Sequence, residues 1–240
     1  MKNSQFVSLV AIFAALNVVC DSVSAIPQFG EYSVWLSWNF LIEPITGIVL
    51  GPYAGFLSNF IGVMIGHFVY YRGVPEFLFT LGAPVGAMVS GLLFRGKWKT
   101  VFAYYTVMFI AYFATPVAWQ LPIWGMWNTY LAYVTLCTVA FVLTRKEGEK
   151  LESKRFTYSL VLYAFIGLEA DILFRIFLLV PCQAYRLIYE WPIETLQGVW
   201  MLGAAVTPIQ VALSALVVTP LVGMPIIKIL RKKGLLQFVD

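Results

Sequence analysis

The residues able to do chemistry in this chain are few and sit in apolar surroundings. Asp21 lies in the run "AIFAALNVVCDSVSA", Glu43 opens "EPITGIVLGPYAGFLSNFIG", His67 is the only histidine, and "LEADILFR" carries Glu169, Asp171 and Arg175. On a helix, Asp171 and Arg175 share one face at pairing distance, while Glu169 points roughly the opposite way. That spacing admits either a structural ion pair or two pocket groups. A carboxylate facing hydrocarbon is costly, so these acids should face a bundle interior or a cavity. Acid-rich surroundings with one arginine suit recognition of a cationic or zwitterionic ring compound. The lone histidine cannot form a metal site and is more often a satisfied interior residue than a ligand.

These groups must be positioned by membrane helices. Of the 240 residues, 60% are hydrophobic and 12% charged, with a mean hydropathy of +0.82. Such a composition lies outside the soluble globular range. Several apolar runs reach the roughly 20 residues needed to cross about 30 Å of hydrocarbon. The expectation is an all-α, polytopic integral membrane bundle forming a single domain over residues 1–240. Eight spans are predicted, near Phe6–Ile26, Val34–Leu50, Tyr53–Tyr71, Phe77–Phe94, Val101–Trp119, Trp124–Leu143, Thr157–Val180 and Val199–Ile229. The second and third, joined at Gly51-Pro52, could instead form a re-entrant pair, and the range is six to eight.

With both termini cytoplasmic, 13 of the 16 Lys and Arg residues fall on the inner side, as the positive-inside rule requires. Only Arg72 and Arg186 fall in outer loops. Lys2 followed by an apolar run loosely mimics a signal peptide, but the run is long enough to span and further membrane segments follow. Pro208, Pro220 and Pro225 in the last segment predict kinks and a final interfacial piece. Cys20, Cys137 and Cys182 have no metal or disulfide spacing and read as inert core residues.

At about 100° per residue, the first helix has two faces. Ser4, Ser8, Ala11, Ala15 and Ser22 fall in one sector. Asn17, Asp21 and Ser24 fall in another, about 140° away. A stripe of small residues lets helix backbones approach closely, so Ser8, Ala11 and Ala15 mark a docking face, within the bundle or onto another protein. The polar stripe should point inward. In the second span Trp35, Asn39, Glu43 and Thr46 repeat such a face, and Pro44 predicts a break or a helix start at Glu43. Asp21, His67, Asp171 and Arg175 map to the outer half of the membrane on three helices, with Glu43 nearer the middle. The candidate substrate-binding set is therefore Asn17, Asp21, Trp35, Asn39, Glu43, His67, Glu169, Asp171 and Arg175.

The organisation resembles the substrate-binding S components of energy-coupling factor (ECF) transporters of prokaryotic cell membranes. The resemblance rests on Ala11 and Ala15 as an AxxxA, on the outer connection "PQFGEYS" from Pro27 to Ser33, and on Pro44, Gly51, Pro52 and Gly55 between the second and third spans. It covers roughly the first 100 residues. It implies capture of a vitamin or similar micronutrient from outside, with the first outer loop capping the substrate. It also implies that the Ala11/Ala15 face docks on a transmembrane coupling protein driven by two ATPases. The chain has no Walker A pattern, so ATP-driven work needs those partners. Such components usually have six spans, so about 60 residues are extra. Metal-specific relatives use an N-terminal histidine, absent here, and no metal or cofactor is expected.

Two other classes fit some of these residues. A stand-alone proton- or sodium-coupled secondary transporter could use Asp21, Glu43 and Glu169 as ion sites. "EADILFR" superficially matches the EExxxR of intramembrane CAAX proteases, but Ala170 stands where the first glutamate belongs, and no histidine follows His67. Enzyme activity is not expected.

Overall fold

The computed structural model describes residues 3–23, 26–27, 35–143 and 154–236. Apart from a two-residue antiparallel pair, β1 (Ile26–Pro27) with β2 (Trp35–Leu36), the described chain is helical. The elements are α1 (Asn3–Ser22), a 3-10 turn at Trp38–Leu41, α2 (Glu43–Leu50), α3 (Pro52–Val69), α4 (Val74–Leu78), α5 (Gly82–Phe94), α6 (Trp98–Phe113), α7 (Trp127–Leu143), α8 (Lys154–Leu179), α9 (Ala184–Leu187), α10 (Ile193–Ala212) and α11 (Met224–Lys232). Among the described residues, four helical stretches are long and apolar enough to cross a membrane: Asn3–Ser22, Pro52–Val69, Glu76–Phe94 and Ile193–Lys232. Many large apolar side chains point outward, among them Phe68, Ile110, Val134 and Ile209. An apolar exterior of this extent is compatible with a membrane protein.

One element departs from expectation. The run Val34–Leu50 is not a continuous helix: helix begins only at Glu43 and lasts eight residues, all buried. Pro44 occupies the first turn, where its missing N–H costs nothing, and disfavours helix in the residue before it. Ser37 accepts a hydrogen bond from the Asn39 amide and caps the 3-10 turn that replaces the missing helical turns. Gly51 then takes φ 84°, a left-handed conformation that turns the chain directly into α3.

The final segment stays helical from Ile193 to Lys232. Residues Leu213–Gly223 form a π-helical stretch holding Pro220. Widening the turn accommodates a residue that cannot donate to the ladder, and Pro and π-helical turns are the places where long helices bend.

Close helix crossings set the frame. α1 lies on α3 with Val10, Ala14, Asn17 and Asp21 against Ser58, Gly62 and Gly66: Ser58 Oγ donates to the Val10 carbonyl at 3.1 Å, and a Cβ on Gly62 would reach the Ala14 carbonyl at 2.8 Å. α5 meets α8 where Gly86 faces Gly167, each too close to the other's backbone to carry a side chain. Lacking a strong hydrophobic drive between helices in lipid, such contacts supply dispersion at short range. The largest core cluster, around Tyr105, Tyr112, Leu136, Ile166, Leu173 and Trp200, lies among α5–α8 and α10. Tyr105 Oη donates to the Ile166 carbonyl at 2.6 Å and ties α6 to α8.

Candidate functional site

The inward face of α1 delivers Asp21, which is 1% exposed, to the end of α3. Its Oδ1 accepts a 2.6 Å hydrogen bond from Ser37 Oγ. Its Oδ2 lies 3.3 Å from His67 Nδ1 and 3.3 Å from Arg72 Nη2, and Arg72 also donates to the Asp21 backbone carbonyl. His67 Nδ1 is 2.8 Å from the Val63 carbonyl, which favours the tautomer protonated at that nitrogen. Deeper in the bundle a side-chain relay joins three elements: Asn39 Nδ2 donates to Asn59 Oδ1 at 3.0 Å, and Asn59 Nδ2 donates to Asn17 Oδ1 at 3.1 Å. Asn17 ends the relay by donating to the Phe13 carbonyl.

From the other side, α8 presents Asp171 and Arg175. The pair is bidentate, Nε to Oδ1 at 2.6 Å and Nη2 to Oδ2 at 3.1 Å, the fork geometry that makes arginine–carboxylate pairs strong. Gly82 and Gly86 of α5, one turn apart, pass beneath the carboxylates of Asp171 and Glu43. Glu43 is fully buried, and among the described residues neither of its carboxylate oxygens has a hydrogen-bond partner. An ionised carboxylate in that state is expensive unless something positive joins it.

These groups enclose a cavity with about 110 Å³ open to the centres of water molecules, where a single water needs roughly 10–15 Å³ by the same measure. Asp21, Asn39, Glu43, His67, Asp171 and Arg175 line it, so six of the nine sequence-derived candidates converge on one space. Arg72, Glu76, Ser37, Thr207 and Gln210 also line it and were not among them. Arg72 and Ser37 lie outside the long helices, where spacing carries no signal, Glu76 opens the stretch Glu76–Phe94 one residue before the predicted span, and Thr207 and Gln210 are uncharged.

The remaining candidates lie elsewhere. Asn17 sits behind the cavity wall as the end of the asparagine relay. Glu169 faces α7, where it accepts hydrogen bonds from Asn128 Nδ2 at 2.8 Å and Thr129 Oγ1 at 3.0 Å, and it does not line this cavity. The backbone of Trp35 is in β2, but its side chain falls outside the described residues, as do the connection Pro27–Ser33 apart from Pro27 and the basic stretch around Arg145. Ser8, Ala11 and Ala15 are exposed. No cluster of residues able to hold a metal ion occurs among the described residues.

A second cavity, with about 160 Å³ by the same measure, adjoins the first and shares Glu76, Phe79, Ile172, Arg175 and Thr207 with it. Tyr189 sits at its rim in the turn before α10. Burial pushes the Tyr189 phenol up, the nearby Glu76 carboxylate adds to this, and Arg175 opposes it, so the ring is a neutral hydrogen-bonding wall at ordinary pH.

In comparisons with models of known families, with curated proteins and with solved structures, nothing matches this chain. Its function must be argued from this geometry.

Proposed function

We propose that the chain is the substrate-binding membrane component of an ECF-type importer, a multi-pass protein of a prokaryotic cell membrane that captures a small micronutrient from outside. The observation that carries this reading is the cavity where Asp21, Glu43, His67 and the Asp171–Arg175 pair converge from α1, α2, α3 and α8. A concave site with a few convergent polar groups is the usual form of a small-molecule site. The exposed Ser8, Ala11 and Ala15 on the outward side of α1 support docking on a transmembrane coupling protein with its two ATPases, because the chain's own described bundle leaves that stripe uncovered.

The reading with eight crossings and both termini inside counts the second stretch as one of them. Ser37 bonds Asp21 near the end of α1, and a Cβ on Gly51 would collide with the Arg95 guanidinium at the basic turn after α5. These contacts near the two ends of the stretch from the 3-10 turn through α2 support reading it as a broken crossing.

The test is uptake by reconstituted liposomes. A library of vitamins, nucleobases and amino acids is first screened for thermal stabilisation of the purified chain. Uptake of the stabilising compound is then measured with and without an energising module. The proposal expects module- and ATP-dependent uptake that Ala11→Trp/Ala15→Trp abolishes while binding persists. Uptake by the chain alone, driven by a proton or sodium gradient, would establish the secondary-transporter reading, which the unpartnered Glu43 carboxylate favours.

A further inference from the structure

The two cavities differ in chemistry across a shared wall. In the first, four carboxylates (Asp21, Glu43, Glu76 and Asp171) face two guanidiniums, Arg72 and Arg175. Arg72 is committed to Asp21 and Arg175 to Asp171. Glu43 has no cation at ion-pair distance among the described residues, Arg175 acting on it only from farther off: both oxygens are buried without a hydrogen-bond partner, and the side chain lines the cavity. Because Gly82 and Gly86 lie beneath Asp171 and Glu43, these two carboxylates are offset by about one helical turn, roughly 5–6 Å. An ammonium group seated between them would touch Glu43 first and see Asp171 across the gap.

The second cavity is aromatic. Trp200 stacks on Tyr112 with ring centroids 5.7 Å apart and planes 3° from parallel. Its indole N–H donates to the Pro122 carbonyl at 3.1 Å, and its edge passes over Gly125 too closely for a side chain there. Tyr189 and Trp191 pack with centroids 4.3 Å apart, and Phe79 lies 6.1 Å from Tyr189. These rings are held by their own contacts, so the chamber is pre-formed, which lowers the ordering cost of binding a flat group. Offset or edge-on ring packing then adds to simple burial.

We propose that the two cavities bind one ligand, a primary amine or similar cation whose positive group pairs with Glu43 and whose aromatic ring lies in the chamber formed by Phe79, Tyr189, Trp191 and Trp200. This deepens the proposed function and rests on the reading that the cavity binds a small molecule. Arg175, locked by Asp171 on the wall between the chambers, repels the cation from the middle and fixes which end faces which chamber.

The test uses the purified full chain in detergent and four probes at millimolar concentration: phenethylamine, n-butylamine, 2-phenylethanol and phenylacetate, followed by calorimetry and thermal stabilisation. Phenethylamine should bind roughly tenfold or more tighter than each of the other three, the size expected for a charged hydrogen bond or a buried ring. Glu43→Gln, which keeps the side chain's shape, should reduce phenethylamine binding to the level of 2-phenylethanol. Gly203 lines the second cavity, and a Cβ there would meet nothing within 4 Å, so a side chain can start from this position and Gly203→Phe should occupy the chamber. That variant should keep n-butylamine binding and lose the advantage of the ring. Equal binding of phenylacetate or 2-phenylethanol, unchanged affinity in Glu43→Gln, or no binding of phenethylamine overturns the proposal. Binding here needs no partner protein. Failure with module-dependent uptake intact sinks this inference alone, and success with uptake indifferent to the module sinks the importer reading alone.

Discussion

The Glu43 carboxylate rests directly on the backbone of Gly86, where α2 and α5 cross, and the Gly167 carbonyl closes the same spot from α8. A Cβ on Gly86 would collide with Glu43 Oε1 and stand 2.8 Å from the Gly167 oxygen. The first contact could be relieved by a side-chain rotation, but the second is backbone and cannot yield cheaply. Gly86→Ala is therefore expected to destabilise by about 1–3 kcal/mol, the usual cost of overpacking. Gly203→Ala, where the added carbon meets open space, should be neutral or gain about 0.5–1 kcal/mol from the lost freedom of glycine in a helix. Thermal midpoints of the two purified variants decide this, and equal shifts would contradict it.

Asn59 is the middle of the relay joining Asn39 and Asn17, and all three are buried. Asn59→Ala would leave the Asn39 amide N–H and the Asn17 carbonyl oxygen without partners at once. An unsatisfied buried polar group costs roughly 1–3 kcal/mol. The expected loss is about 2–5 kcal/mol, larger than for Asn17→Ala at the end of the relay, which leaves only the Asn59 side-chain N–H without its acceptor. A smaller loss for Asn59→Ala than for Asn17→Ala, in the same thermal assay, would count against the relay.

What could be read from residue order alone was governed by helical rotation. Asn17 and Asp21 fall on one stripe of α1 and are buried, while Ala11 and Ala15 fall on another and are exposed. The same rule placed Asp171 and Arg175 together and Glu169 behind them. It failed where the backbone is not a long helix. Val34–Leu50 is apolar enough to look like a span, yet only the local effect of Pro44 marked the helix start at Glu43. Arg72 seemed an outer-loop cation, and only the return of the chain after α3 brings it to Asp21. Glu169 was legible as inward-facing but not its destination, because Asn128 and Thr129 carry no charge to mark them as its partners.

The Asp21–Arg72 pair is 1% exposed at both side chains. Removing one member of such a pair leaves the other buried and uncompensated, at roughly 3–5 kcal/mol. Asp21→Asn and Arg72→Gln should each approach that loss. The double variant should lose less than the sum, with a coupling of about 1–3 kcal/mol. Additive losses would mean that Asp21 is held chiefly by Ser37 and His67. Ligand affinity measured on the same variants separates a structural role for the pair from one in the pocket.

The two fully buried glutamates should respond in opposite directions to the same change. Glu169 accepts from both Asn128 and Thr129, and an amide at that position would turn an N–H toward one of the two donors. Glu169→Gln keeps Asn128 on its Oε1 and forces the Thr129 hydroxyl to reverse and accept from its Nε2–H, so two bonds to a carboxylate become two neutral ones and the expected loss is about 1 kcal/mol. Glu43 has no hydrogen bond to lose. Replacing an unpartnered carboxylate with a neutral amide removes the larger part of its desolvation cost, so Glu43→Gln should be neutral or more stable than the parent by about 1 kcal/mol or more. Thermal unfolding of the ligand-free variants in one detergent at one pH tests the pair together. A destabilised Glu43→Gln would mean that the carboxylate already has a partner in the empty protein. A stabilised one would be the signature of a group kept for its ligand at the expense of the fold.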